Sequence, residues 1–248
     1  AMNRGIRYCH CPKAMGYCVA EFTVGLMLSL GYEIGYFDRL IRDGHRSDPP
    51  EGEYHKRGGF AAKSLRYAEV GLIGSGNIAR HVIRMLAPFD CKISVYDPFL
   101  AAEEAKKLGV KKVAKLETLL KKADILSVHA GWTKDTAGML SAEKLALLKD
   151  DAMIICTARM PIFDEAALKR EALSGRLRVA LNLIPENPIW FEDDLRVVRK
   201  LLLSPGSASV SHSTWLDMGK MLLGDVMRFA ERGKLCYEVK PSDLAKMT

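Results

Sequence analysis

From Ala68 onward, short runs rich in apolar and β-branched residues alternate with longer runs whose apolar positions recur at helical spacing. The strand candidates are Glu69 to Ile73, Lys92 to Tyr96, Ile125 to Val128, Ala152 to Cys156, Leu177 to Leu183 and Leu201 to Ser204. Between them, a period near 3.6 predicts helices over Asn77 to Ala87, Ala101 to Leu108, Leu116 to Lys122, Ala142 to Leu148 and Glu165 to Leu173. Alternation of this kind needs crossover connections, which predicts a parallel sheet with helices on both faces.

The segment before this has a different pattern. Val19 to Arg42 is apolar almost all round its helical circumference, as a buried helix would be. As one helix it would be about 35 Å long, more than the face of one small sheet, so either a subunit interface covers the surplus or the helix is core within one chain. Arg42 to Phe60 is polar and rich in Gly and Pro, hence a loop. A last helix is predicted around Asp217 to Ala230.

The chain has 248 residues, 48% of them apolar and 27% charged, with 20 Gly and 10 Pro. At about 150 residues per domain this is one large or two small domains, with enough apolar content for a sizeable core. The net charge of +7 is dispersed; the pairs Lys106-Lys107, Lys111-Lys112 and Lys121-Lys122 read as solvated helix faces beside Glu103, Glu104 and Glu117. No nucleic-acid partner is therefore expected. No run reaches the roughly 18 apolar residues of a membrane helix, and the start AMNRGIRYCHC lacks a secretory core, so a cytoplasmic protein with no membrane partner is expected. The six cysteines are too sparse for a disulfide scaffold and read as reduced thiols. Cys9, His10, Cys11 and Cys18 have metal-ligand chemistry, but on an extended segment His10 points away from its neighbours and no second cluster follows, so no metal is expected.

One loop carries a phosphate-binding signal. Gly74, Ser75, Gly76, Asn77, Ile78 and Ala79 follow a predicted strand and open a predicted helix. In such a G-x-G-x-x-A loop Gly74 allows the tight turn, Gly76 admits the pyrophosphate, and Ala79 lets helix pack closely on strand. The amides at the helix start would face the anion. Asp97, 18 residues after Ala79, ends the next strand, where a carboxylate accepts both ribose hydroxyls and repels a 2′-phosphate. This arrangement favours NAD over NADP, with Lys92 or Arg80 as nearby cations that bear on the choice. The expected fold is a Rossmann-type, doubly wound α/β sheet.

From about Arg4 to about Glu238 the chain resembles the D-isomer-specific 2-hydroxyacid dehydrogenase family. The resemblance rests on CVAEFTVGLML, GLIGSGNIAR, VYDP, ADILSVHAGWTKDTAGMLSAEKLALLKDDAMIICTAR, DEAALKREALSGRL and LLLSPG, in the family's order. It implies hydride transfer between a nicotinamide cofactor and a small 2-oxo or 2-hydroxy acid. It also implies a homodimer, paired through the dinucleotide domain and the long helix. In such enzymes an Arg binds the substrate carboxylate, a His exchanges the proton, and a Glu orients that His. Cys156-Thr157-Ala158-Arg159-Met160 resembles the family's N-T-A-R-G, which makes Arg159 the substrate anchor and sets Thr157 and Ala158 beside the cofactor. Asn182 stands where the family uses an Asp toward the nicotinamide carboxamide, and His129 stands at a cofactor-side strand end or is a His hydrogen-bonded within the sheet edge.

Two positions depart from the pattern. Asn187 occupies the Glu position, with Glu186 able to stand in only through a one-residue shift, and Gly206 occupies the His position, with His212 six residues further on as the candidate substitute. Residues 1–12 resemble the last strand and loop of a substrate domain whose greater part is missing, residues 13–210 the dinucleotide domain, and residues 211–248 the returning segment. Ala1-Met2 resembles a tag remnant before an initiator Met, which would make the short form intended. The expectation is an NAD(H)-binding homologue impaired in catalysis; the alternative is an active oxidoreductase using Arg159 with a substitute proton donor.

Overall fold

The structure, a computed structural model, describes residues 5–11, 13–44, 62–183, 190, 195 and 198–241. Seven parallel strands form one sheet: β1 (Glu69–Ile73), β2 (Lys92–Tyr96), β3 (Lys111–Lys112), β4 (Ile125–Val128), β5 (Met153–Cys156), β6 (Arg178–Asn182) and β7 (Leu201–Ser204). Their order is β3-β2-β1-β4-β5-β6-β7, so the chain winds outward from β1 in one direction and then from β4 in the other. Eight described α-helices accompany them: α1 (Gly16–Gly31), α2 (Ile34–Arg42), α3 (Asn77–Leu86), α4 (Ala102–Lys107), α5 (Leu116–Lys122), α6 (Ala142–Leu145), α7 (Glu165–Leu173) and α8 (His212–Arg232).

The central strands are buried on both faces, which is why they read as unbroken apolar runs. Alternate side chains serve two cores. Ile73, Leu126, Val128, Ile154 and Val179 point toward the core that also holds Leu119, Leu145 and Leu168 of α5, α6 and α7. Val70, Leu72, Ile125, Ile155 and Ala180 point to the other, with Met27 of α1 and Val82 of α3. Strand and helix bounds follow the apolar period to within three residues for the elements it predicts, apart from the long helix below and the last helix, where α8 extends the predicted Asp217 to Ala230 at both ends.

Two expectations are corrected. Val19 to Arg42 is not one helix: α1 and α2 meet at a 62° bend across Tyr32 and Glu33. Glu33 adopts a left-handed φ of 53° and is 3% exposed, its carboxylate accepting hydrogen bonds from Arg178 Nη1 at 2.8 Å and from Arg199 Nε. A charge that deep needs partners. Meeting them turns the chain inward and ends the helix, which apolar periodicity has no means of registering. Secondly, Lys111-Lys112 is not a helix face but the edge strand β3, paired with Ser94 and Val95. Its exposed lysines charge the sheet edge, a position where unpaired backbone would otherwise invite association.

No single described helix is long and apolar enough to cross a membrane. The six cysteines are free, and Cys156, fully buried, has its thiol pushed up to about 12 by desolvation. The ends of the described chain come together: Cys9 bridges Glu238 in antiparallel fashion, and Arg7 pairs with Glu238 at 2.7 Å and stacks over Phe229 of α8. Buried Asp225 accepts from the amides of Cys236 and Tyr237, holding the returning segment on α8. The other side of α8 leaves Trp215, Leu223, Val226 and Met227 exposed.

Candidate functional site

The strand order reverses between β1 and β4, so the loops leaving these two strands diverge and open a crevice at the carboxyl ends of the strands. Register brings those ends level, with Ile73 opposite Val128 and Val128 opposite Cys156, and Asn182 opposite Ser204. There a cleft of about 420 Å³ is lined by Ile78, His129, Thr157, Ala158, Arg159, Asn182 and Gly206, with Met15 and Val19 from the α1 side. A second cavity of about 500 Å³ lies between α5 and the β1–β2 part of the sheet, beside Lys92, Lys111 and Lys122. None of the candidate site residues line it, whereas Thr157, Ala158, Arg159 and Asn182 line the smaller cleft.

The two loop glycines have different tasks. Gly74 has φ +91°, and a Cβ there would lie 3.0 Å from Ala130 N and from the His129 carbonyl carbon. Only glycine lets β1 turn this close to the end of β4. Gly76 caps α3, and a Cβ added to it would meet nothing within 4 Å. That open space lies at a helix start whose amides have no intrahelical acceptor, so a pyrophosphate fits there. Ala79, 0% exposed, lies in the core shared by α1 and α3.

Asp97 follows β2. Its Oδ2 accepts from the Ser75 amide at 2.8 Å and the Ser75 hydroxyl at 2.6 Å, and its Oδ1 from the Phe99 amide at 2.8 Å. Ser75 thus ties the phosphate loop to the carboxylate that the ribose would meet. Of the two cations noted in the sequence, Lys92 lies at the opposite end of β2 and faces Glu69 at 3.4 Å. Arg80 is the one beside the site. Its Nε donates to the Ser75 carbonyl at 2.9 Å and its Nη1 pairs with Glu104 of α4 at 2.7 Å.

Across the cleft, Thr157 shares a hydrogen bond with Thr23 of α1 at 3.0 Å, and Thr23 also donates to the Val19 carbonyl. Thr23 carries one weak signal in the sequence, a lone hydroxyl on the buried face of an apolar helix. Asn182 Oδ1 accepts from Ser204 Oγ at 3.1 Å and keeps a second lone pair. Arg159 is exposed, makes no ion pair among the described residues, and donates to its neighbour's carbonyl at 3.4 Å. Gly206 adopts φ +75° on the cleft wall. His212 is the exposed first residue of α8 and is not among the residues lining the cleft. Glu186 and Asn187 lie outside the described residues, as does most of the Arg42 to Phe60 loop.

His129 and Asn77 carry a signal visible only in three dimensions. His129 Nε2 meets Ser127 Oγ at 2.9 Å, while its Nδ1 is buried without a partner among the described residues, as is Asn77 Nδ2. Desolvation pushes the His129 pKa down to about 4, so the ring is neutral at pH 7. Of the two only His129 lines the cleft, where an orphaned polar atom is a group that a bound molecule can satisfy. Among the described residues no cluster of three or more His, Cys, Asp or Glu side chains is placed to hold a metal.

Comparison with known proteins places this geometry in context. The family profile described as "D-isomer specific 2-hydroxyacid dehydrogenase, NAD binding domain" matches residues 24–208. A glyoxylate reductase from Thermofilum pendens is 33% identical, the alignment covering 100% of this chain and 74% of that protein. Among solved structures, the apo D-mandelate dehydrogenase of Rhodotorula graminis superposes with a TM-score of 0.85 at 25% identity, covering 96% of this chain and 70% of that one. An acyclic imino acid reductase in complex with NADPH and D-Arg superposes with a TM-score of 0.80 at 25% identity, covering 96% and 73%.

Proposed function

Because this chain belongs to the D-isomer-specific 2-hydroxyacid dehydrogenase family and carries its NAD-binding domain, we propose that it binds NAD(H) in the cleft at the β1–β4 switch point and is impaired in hydride transfer to or from a small 2-oxo or 2-hydroxy acid. The open space at Gly76, the orphaned Nδ1 of His129 and Asp97 at the ribose position fit this cofactor. When bound, it supplies the hydride donor or acceptor. The residues of the chain do the rest: Gly74 to Ile78 cradle the pyrophosphate, Asp97 receives the ribose, and Thr157, Ala158 and Asn182 border the nicotinamide end. Arg159, exposed and without an ion pair among the described residues, is available to bind a carboxylate in bidentate fashion.

The proton is the weak point, and Gly206 is the observation that carries the reading. At the position of the family's proton-exchanging His, this chain has a glycine with a left-handed backbone, where a side chain would be strained. His129 also lines the cleft, but a ring neutral down to a pH of about 4 is a poor acid at pH 7. His212 or a water could serve only if the loop before α8 rearranged. In this reading residues 1–12 and 211–248 are the substrate-domain portion and the protein acts in the cytoplasm.

Purified protein with NADH at 100 times its Kd is expected to gain about 2.7 kcal/mol of stability, read as a rise in Tm. With glyoxylate, pyruvate or hydroxypyruvate, no NADH consumption at 340 nm is expected. Turnover abolished by Arg159→Ala would favour the active oxidoreductase instead, and absence of binding to NAD and NADH at millimolar concentration would exclude both readings. We also propose a homodimer that uses the α1–α2 region, where Tyr32, Ile34 and Ile41 are exposed. Light scattering is expected to return twice the 27.5 kDa chain mass, and a monomer would contradict this assignment.

A further inference from the structure

The family's fold accommodates both dinucleotides, which differ only by the 2′-phosphate on the adenosine ribose, so the choice lies in the few groups around that ribose. In this chain two of them oppose the phosphate by different means. Asp97 does so directly, its carboxylate standing where the phosphate would come. The second acts through Arg80. Its guanidinium lies at the phosphate loop, anchored by Nε at 2.9 Å to the carbonyl of Ser75, the same residue whose amide Asp97 holds. By itself this is a cation suited to a ribose phosphate. Its other arm, however, is drawn to α4, where Nη1 meets Glu104 Oε1 at 2.7 Å.

We propose that Glu104 is a positioning residue for cofactor choice, holding Arg80 against α4 so that its charge is neutralised and not offered to a 2′-phosphate. The inference rests on the binding of NAD(H) at this cleft and deepens it. α4 follows β2 directly after the loop from Asp97 to Ala101, so the chain places the acidic hydroxyl acceptor and the acidic arginine restraint on consecutive elements. Both are about one-third to one-half exposed, 35% for Arg80 and 42% for Glu104, so the pair can open without disrupting a core. Arg80 is also electrostatically coupled to Asp97, which puts its charge within range of the same ribose. Lys112, another cation of this edge, is committed to the Leu100 carbonyl.

The test is the ratio of NADPH to NADH affinity, read by nucleotide fluorescence for the wild-type chain, Glu104→Gln, Glu104→Asp, Arg80→Gln and the double variant Glu104→Gln/Arg80→Gln. Removing the restraint is expected to tighten NADPH about tenfold, the scale of one added charge-assisted contact, and to leave NADH within about twofold. Glu104→Asp keeps the wild-type ratio, and the double variant loses the gain because the arginine is the group released. Binding of 2′,5′-ADP against 5′-AMP is expected to move in the same sense, isolating the phosphate from the nicotinamide. A Glu104→Gln ratio within twofold of wild type, or a gain that survives in the double variant, overturns the inference while leaving NADH binding intact. If the wild-type chain binds neither nucleotide, the cofactor reading fails and this inference fails with it.

Discussion

Glu33→Ala is expected to lower the unfolding free energy by about 3–5 kcal/mol, the largest loss of any single substitution considered for this chain. Glu33 is 3% exposed, and its carboxylate is the acceptor for both Arg178, itself 3% exposed, and Arg199. Removing it leaves the Arg178 guanidinium buried with half its partners gone, since among the described residues only Asp151 remains, at 2.8 Å. The cost is that of a buried guanidinium left half-satisfied and not the worth of the ion pair. The same substitution releases the left-handed turn at residue 33 that separates α1 from α2. Urea unfolding of the purified variant checks it, and a loss below about 1 kcal/mol would mean that Arg178 finds other partners. Asp151 gives the network a pH signature. Burial disfavours its charge, but hydrogen bonds from Arg178 and Lys200 outweigh this and hold its carboxyl at about 2, against 3.8 in the unfolded chain. A depressed acid contributes stability in full above its unfolded pKa and loses it as pH falls. The contribution, up to about 2 kcal/mol, is therefore present above pH 4 and lost between pH 4 and 2.

Gly74→Ala and Gly76→Ala, the same substitution two residues apart, are expected to fail in opposite ways. At Gly74 the new methyl meets backbone, Ala130 N and the His129 carbonyl group at 3.0–3.1 Å, from a φ of +91°. Those atoms are backbone of the two residues that directly follow the fully buried strand β4, which leaves them little room to shift. Strain and overpacking together cost about 2–4 kcal/mol, and Tm falls whether or not nucleotide is present. At Gly76 the methyl meets nothing within 4 Å, and stability stays within about 1 kcal/mol of wild type. It occupies the space proposed for the pyrophosphate, so NADH affinity falls by at least an order of magnitude in a normally folded protein. Chemical unfolding paired with NADH titration separates the two, and Gly76→Ala binding NADH like wild type would remove the pyrophosphate from this loop.

The site was legible in proportion to how local its parts are. Gly74, Gly76, Ala79 and Asp97 could be placed because a strand, a turn and a helix start constrain residues a few positions apart, and the structure puts them at one strand edge. Arg159, Asn182 and Gly206 come from three successive strand ends, and the family motifs, not periodicity, located them; the structure finds them on one cleft wall. Thr23, the Nδ1 of His129 and the Arg80–Glu104 pair were beyond reach. The first and last are defined by partners 134 and 24 positions away and the second by the lack of one among the described residues, and nothing in the local pattern distinguishes a satisfied hydroxyl or imidazole from an orphaned one.

The chain by itself determined its sheet, because β1, β4, β5 and β6 are buried on both faces and so carry runs of apolar residues that no other packing would hide. It determined the direction of those strands too, since helices between them permit only crossover connections. The tertiary structure alone decided where the first helix breaks and how far Arg80 is free to act. Both outcomes turn on ion pairs between distant segments, Glu33 with Arg178 and Arg199, and Arg80 with Glu104. Charge attracts across space regardless of position in the chain, whereas periodicity registers only neighbours along it.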